Sequence, residues 1–162
     1  MTAVSKPFRA TAQSAILPAR IVQRLIAAMD RIPYWLIALS ARSFPAALFW
    51  QSGQTKVAGF SLKPSAIALF ENEYQLPLIY PEIAAYVSAV AEHLFPVLLV
   101  IGLASRFSAL ALLVMTTVIE VFVYPQAWPT HIQWAAMLLV LLCRGPGRFS
   151  VDQAIWNRVR PR

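Results

Sequence analysis

The sequence predicts an all-α, polytopic membrane protein: an antiparallel four-helix transmembrane bundle flanked by short interfacial helices. Three observations carry this. Hydrophobic residues make up 59% of the 162 residues and charged ones 13%, against roughly 45–50% and about 25% in soluble domains. Four segments are apolar almost throughout, at 34–51, 83–103, 107–124 and 128–144, and about 20 residues are needed to cross a bilayer. Lysine and arginine outside these segments alternate between rich and poor, as the positive-inside rule requires of a chain that crosses four times.

The elements follow in chain order. Residues 1–33 hold Lys6, Arg9, Arg20, Arg24 and Arg31 without the continuous apolar core of a signal peptide. Within them Arg20, Gln23, Arg24, Asp30 and Arg31 fall on one helical face, and Ile21, Leu25, Ala28 and Ile32 on another. That pattern predicts an amphipathic helix on the membrane surface. The first span, 34–51, contains Arg42. The long loop after it has Lys56 and Lys63 against Glu71, Glu73 and Glu82. Its piece PSAIALFENEY is expected to be helical from Pro64, with Ile67, Phe70 and Tyr74 in one stripe, and QLPLIYP too proline-rich to continue. Arg106 is in the turn between the second and third spans, and no basic residue lies between the third and the fourth. The fourth span is short and borrows the turn around Trp128. The tail, 145–162, carries Arg148, Arg158, Arg160 and Arg162 and a capping-box spacing at Ser150 and Gln153, which predicts a second interfacial helix. Both termini are therefore expected on the cytoplasmic side.

The polar residues inside the spans are the functional candidates, because a charge at mid-membrane is costly unless answered. Arg42 lies about 12 Å along the first span and Glu92 about 13–14 Å along the second, at 1.5 Å per residue. Counted from the span ends, the two reach matched depth on antiparallel neighbours, so a buried Arg42–Glu92 ion pair is expected. Pro45 and Pro96 free the carbonyls of Ala41 and Glu92 at the same depth. A second polar group is expected nearer the outer surface, with Lys56 or Arg42 reaching Glu120, and His131 joining a small cavity walled by Trp50, Tyr124, Trp128 and Trp134.

Plainer readings stand beside these. Arg42–Glu92 also serves as helix-to-helix glue, and Glu120 and His131 are near enough the interface to be solvated. His93 points about 100° from Glu92 and reads as an interhelix hydrogen bond. Its depth differs from that of His131, against a shared haem. Cys143 is the single cysteine, so no CxxC pair or intramolecular disulfide exists. No zinc-finger spacing or basic–aromatic platform points to nucleic acid, and the net charge of +7 reads as membrane orientation.

The runs ARSFPAALFWQSGQTK, AEHLFPVLLVIGLASRF and RGPGRFSVD resemble the DoxX family of small bacterial membrane proteins, over about residues 38–156. The marks are the arginine early in the first span, Gly53 with Lys56, Glu92, the G-L-x-x-R turn at Gly102–Arg106, and the closing G-P-G-R-x-S-x-D. The resemblance implies a four-span bundle in the bacterial inner membrane, with Arg42, Lys56, Glu92 and Arg106 as its polar core. It also implies an association with redox chemistry, through thiosulfate:quinone oxidoreductases or stress-defence assemblies, or with secreted copper-binding peptides and their maturation proteins.

Three functions follow as expectations. The first is a redox module, at most a subunit of a quinone-linked oxidoreductase. It would hold a quinone or small sulfur species against Arg42, Lys56 and His131, with Glu92 and Glu120 in proton transfer and Arg106 joining Arg42 and Glu92 in a structural ion network. Electrons would come from a partner, because no haem pair, Rossmann glycine motif or iron–sulfur spacing is present. The second is a non-enzymatic scaffold for soluble redox or metal-handling proteins, including copper-binding peptide systems; homo-oligomerisation is open to both. The third is a metal carrier, although no metal-ligand set is assigned.

Overall fold

The computed structural model describes residues 11–159, with side chains from residue 19 onward. The chain divides into two units, Met1–Pro33 and Tyr34–Arg162. The described part of the first is one helix, α1 (Thr11–Met29). Every residue from Ala19 to Met29 on it is exposed, apolar ones such as Ile21 and Leu25 included.

The second unit holds α2 (Tyr34–Lys56), α3 (Pro64–Leu69), α4 (Pro81–Ile101), α5 (Ser105–Val118), α6 (Trp128–Arg144) and α7 (Val151–Val159). Helices α2, α4, α5 and α6 close a ring, α2 on α4, α4 on α5, α5 on α6 and α6 back on α2. The core where they meet is built from small and aliphatic residues: Ala41, Ala46, Leu99, Ala109, Leu112, Leu138 and Leu141, with Phe49 as the one buried aromatic. Small residues let helix backbones approach closely, the usual route to packing where lipid removes the hydrophobic drive. The outside of the ring is the greasier side. Val87, Val90, Leu94 and Val97 on α4, Leu110 and Val114 on α5, and Ile132 and Leu139 on α6 are each about half exposed. A water-soluble surface does not carry so much contiguous apolar area.

Among the described residues, two helices are long and apolar enough to cross a membrane, Pro81–Ile101 and Ser105–Val123. Helix α2 is long enough but is diluted by its own polar residues. Helix α6 has 17 residues, short by that measure, as its sequence indicates.

The loop after α2 first forms a two-stranded hairpin, β1 (Val57–Ala58) against β2 (Ser61–Leu62), turning at Gly59 with φ of 63°. The sequence reading does not foresee it. Pro64 then starts α3 at a position where its missing N–H costs nothing, and a π-helical turn, Phe70–Tyr74, continues it. Phe70 is buried against Ala84 and Ala85 of α4, with Tyr74 partly buried beside it, so the expected apolar stripe faces the bundle.

Candidate functional site

The buried charges on α2 gather into two groups, one around Lys56 at its C-terminus and one around Arg42 in its N-terminal half. At the α2 C-terminus, Lys56 Nζ donates to Glu92 Oε2 at 2.7 Å and Oε1 at 3.1 Å, and to Ser52 Oγ at 3.1 Å. Lys56 is 3% and Glu92 2% exposed. The ammonium has three N–H donors and all are used. Ser88 Oγ, one helical turn before Glu92, donates to Oε1 at 3.1 Å. The charges therefore cancel, with their hydrogen bonds made, which is the condition under which a buried pair survives desolvation.

Gly53 makes this closeness possible. A Cβ there would lie 2.7 Å from His93 Cε1 and 3.1 Å from Glu92 Cβ, so only glycine admits α4 so near. His93 Nδ1 lies 2.6 Å from the Ala89 carbonyl, which can only accept. With the proton on Nδ1, the neutral ring accepts from Gln54 Nε2–H at 3.0 Å. His93 is thus an interhelix hydrogen bond.

The expected Arg42–Glu92 pair is not formed. Gly53 marks the level of Glu92 on α2, and Arg42 lies about three turns, roughly 16 Å, from it along the helix. Matched depth required the two helices to start level, and they do not. Arg42 is opposite Gly102, the residue that ends α4, so the first two turns of α2 run past the end of α4. There they meet the 145–149 segment: Tyr34 Oη donates to the Gly145 carbonyl at 2.7 Å, and the Trp35 ring packs edge-on against Phe149. Arg42, 2% exposed, donates from Nη2 to the Phe149 carbonyl at 2.9 Å, while its Nε and Nη1 have no partner among the described residues.

The tail motif is explained at the same end. Asp152 accepts from the backbone N–H groups of Ala104 and Ser105 at 2.7 and 2.8 Å and donates its own N–H to the Gly102 carbonyl at 2.9 Å. It thereby caps α5 from 47 residues away in sequence. Ser150 Oγ accepts from the Gln153 N–H at 3.2 Å, half of the expected capping box; the Gln153 side chain goes on to Asn157. Arg106 does not join an ion network with Arg42 and Glu92, because it donates to the Leu142 carbonyl at 3.0 Å. The G-L-x-x-R turn and the G-P-G-R-x-S-x-D segment are two halves of one joint.

The residues expected around a single outward cavity also divide. Glu120 meets His131, with Nδ1 2.6 Å from Oε2. His131 is buried and stacks edge-on with Trp134, which does the same with Phe49. Glu120 lies in a π-helical turn, Ile119–Val123, that ends α5; such turns often mark functional positions, and no residue pattern announced it. Lys56 reaches Glu92 and not Glu120. Trp50 belongs to a different wall, packed edge-on to His93 in a groove that Gln54 and Phe60 share. Tyr124 donates to Glu73 and stacks edge-on with Tyr74, tying the outer loop to the end of α5.

Between α4 and α5 runs a cleft of about 770 Å³, open to the lipid-facing side. Its walls are apolar, including Val87, Ala91, Phe95, Ala111 and Met115, and Phe70 and Tyr74 lie over its loop end. Ser88, the hydroxyl bonded to Glu92, is on its wall. No residue pattern marks this cleft, which needs the packing of two helices to appear. Among the described residues, no three His, Cys, Asp or Glu side chains come together as a metal-ligand set.

Comparison with known proteins gives a family and one distant relative. The DoxX family model matches residues 37–125, more than half of the chain, from the first turn of α2 to just beyond the π-helical turn that follows α5. A protein of Haemophilus influenzae (strain ATCC 51907 / DSM 11121 / KW20 / Rd), described as an uncharacterized protein, is 28% identical over 127 residues, covering 72% of this chain and 82% of its own. No solved structure matches.

Proposed function

The chain belongs to the DoxX family of small membrane proteins, and from that premise we propose that it binds a lipid-soluble ring compound of the quinone class in the cleft between α4 and α5. The observation that carries this reading is Ser88. It lines an apolar cleft open to the bilayer and donates to Glu92, so one hydroxyl links the cleft to the buried Lys56–Glu92 pair. Ligand sites in proteins have this composition, mostly apolar walls with a few placed polar groups. A quinone supplies two-electron chemistry coupled to protons. This chain would supply the apolar slot, the Tyr74 hydroxyl as a donor to a ring carbonyl, the Ser88 oxygen as an acceptor for a quinol hydroxyl, and Glu92 as the carboxylate behind Ser88 that orients it. Electrons come from a partner protein. Glu120 and His131 form a separate hydrogen-bonded pair toward the outer loop. Arg42 has no part in this site: it is about 21 Å along α2 from Lys56, too far for one small ring to touch both.

In this reading α2, α4, α5 and α6 each cross a bacterial inner membrane. Arg106, Arg144, Arg148 and Arg158 are then at the cytoplasmic end with both termini, and Glu71, Glu73 and Glu82 outside. The test is titration of the purified protein with a short-chain quinone, followed by tryptophan quenching. Ala111→Phe, which fills the cleft, abolishes binding; Ser88→Ala weakens it; Arg42→Met leaves it unchanged. Undiminished affinity in Ala111→Phe overturns the site.

One observation favours a second reading, the scaffold. Phe60 at the hairpin tip and Leu78 in the outer loop are fully exposed apolar side chains, available to a partner. Co-purification of a stoichiometric second protein, lost in Phe60→Ser with Leu78→Ser, supports that reading; a protein that leaves the membrane alone argues against it.

A further inference from the structure

At the end of the bundle away from Lys56, a cavity of about 850 Å³ opens between the α4–α5 turn, the end of α6 and α7. Three arginines line it, Arg106, Arg144 and Arg148, and all three side chains are exposed. None has a carboxylate within 4.0 Å among the described residues. The one acid on the wall, Asp152, is committed to the backbone N–H groups of Ala104 and Ser105. The lining therefore carries uncompensated positive charge.

The remaining wall is specific in kind. Ser105 is completely buried, and its hydroxyl has no hydrogen-bond partner although the residue borders the cavity. Tyr34 and Trp156 supply aromatic surface; the Arg144 guanidinium lies over the Tyr34 ring, 5.8 Å from its centre. Phe107, also on the wall, is 63% exposed, and Trp156 59%. Beyond the cavity, Val151, Ile155 and Val159 continue an exposed apolar face along α7. Positive charge, an unused hydroxyl and apolar surface thus meet where α7 would lie in the membrane interface.

We propose that this cavity binds a phosphate group, and that the phosphate is that of an anionic phospholipid. Arg106, Arg144 and Arg148 hold the phosphodiester, and Phe107 and Trp156 flank the start of the acyl chains. Arginine is suited to this through its planar, multiply donating head, and basic pockets between helices are a known way to hold such headgroups. The site is independent of the quinone reading, since it shares no residue with the α4–α5 cleft other than the lipid-facing Phe107.

The test uses the full chain in neutral detergent, with thermal unfolding followed against added short-chain phosphatidylglycerol, phosphatidylcholine of the same chain length, and inorganic phosphate. Phosphatidylglycerol raises the midpoint and the other two do not. Arg144→Gln with Arg148→Gln weakens its apparent affinity roughly 30-fold, from the loss of two charges near the membrane surface. Arg158→Gln, on α7 but off the cavity wall, changes it little. Because Arg144 also packs on Tyr34, the single Arg148→Gln variant is measured too, with a roughly fivefold loss expected. Equal protection by phosphatidylcholine, or unchanged phosphatidylglycerol affinity in both variants, overturns the site. Protection by inorganic phosphate at matching concentration supports the phosphate site and overturns the lipid as its source.

Discussion

Helix α2 buries two cations, Arg42 in its N-terminal half and Lys56 at its C-terminus, and the two are answered differently. Lys56 meets a carboxylate from the neighbouring helix and two hydroxyls complete the set. Arg42 meets a backbone carbonyl of the tail, with Asp152 nearby but already capping α5. The first is a closed, neutral unit between two long helices. The second is a charge that fastens a late segment of the chain to an early one. Each side chain suits its place. An ammonium fits a compact carboxylate pair, while the longer, planar guanidinium reaches across to the Phe149 carbonyl through Nη2.

The largest effect is expected from breaking the neutral unit on one side only. Glu92→Gln leaves the Lys56 ammonium buried without its counter-charge, which costs about 3–5 kcal/mol. Lys56→Met with Glu92→Met removes both charges and recovers most of the loss, because a buried pair and an apolar replacement are often close in stability. Thermal unfolding in detergent measures both. If the double variant is as unstable as the single one, the pair is held by something other than mutual compensation.

The opposite end is sharpened at Gly102. Its φ is 74°, and a Cβ there would lie 2.3 Å from Arg42 Nη1 and 2.9 Å from Ser150 Cα. Gly102→Ala therefore strains the backbone and pushes the guanidinium and the tail apart, at about 2–4 kcal/mol. Limited proteolysis distinguishes the two ends. Cleavage rises within 145–159 in Gly102→Ala and in Arg42→Lys, whereas Glu92→Gln leaves the tail protected. Equal tail exposure in all three variants would mean that the tail joint is not a local one.

What the sequence made legible was chemistry at single positions. Residue types and spacing marked Arg42, Lys56, Glu92, Glu120 and His131 as polar groups in apolar surroundings, and Pro64 as a helix start. Partnership was not legible, because it depends on how far one helix slides past its neighbour. Arg42 and Glu92 looked level when counted from their span ends, and the overhang of α2 beyond α4 separates them. The tail gave half its meaning: Ser150 was readable as a local cap, but Asp152 caps a helix 47 residues earlier, and no local pattern encodes that. The π-turn carrying Glu120 and the cleft at Ser88 arise from backbone geometry and helix spacing, which leave no mark on residue order.

The smallest effect separates the outer loop from the bundle it covers. Burial pushes the Tyr74 phenol above its ordinary value of 10.0, so the folded state keeps the proton where the unfolded chain releases it. A group whose pKa is raised on folding contributes stability that is complete below the unfolded value and lost as pH climbs past it. Stability is then flat with respect to Tyr74 at neutral pH and declines above about pH 10. Tyr74→Phe keeps the ring against Phe70 and Tyr124 and removes the ionising group, so it flattens that alkaline decline at a cost of no more than about 1 kcal/mol at neutral pH. Unfolding midpoints taken across the alkaline range decide it. A decline as steep in Tyr74→Phe as in the parent chain would assign the alkaline loss to another group.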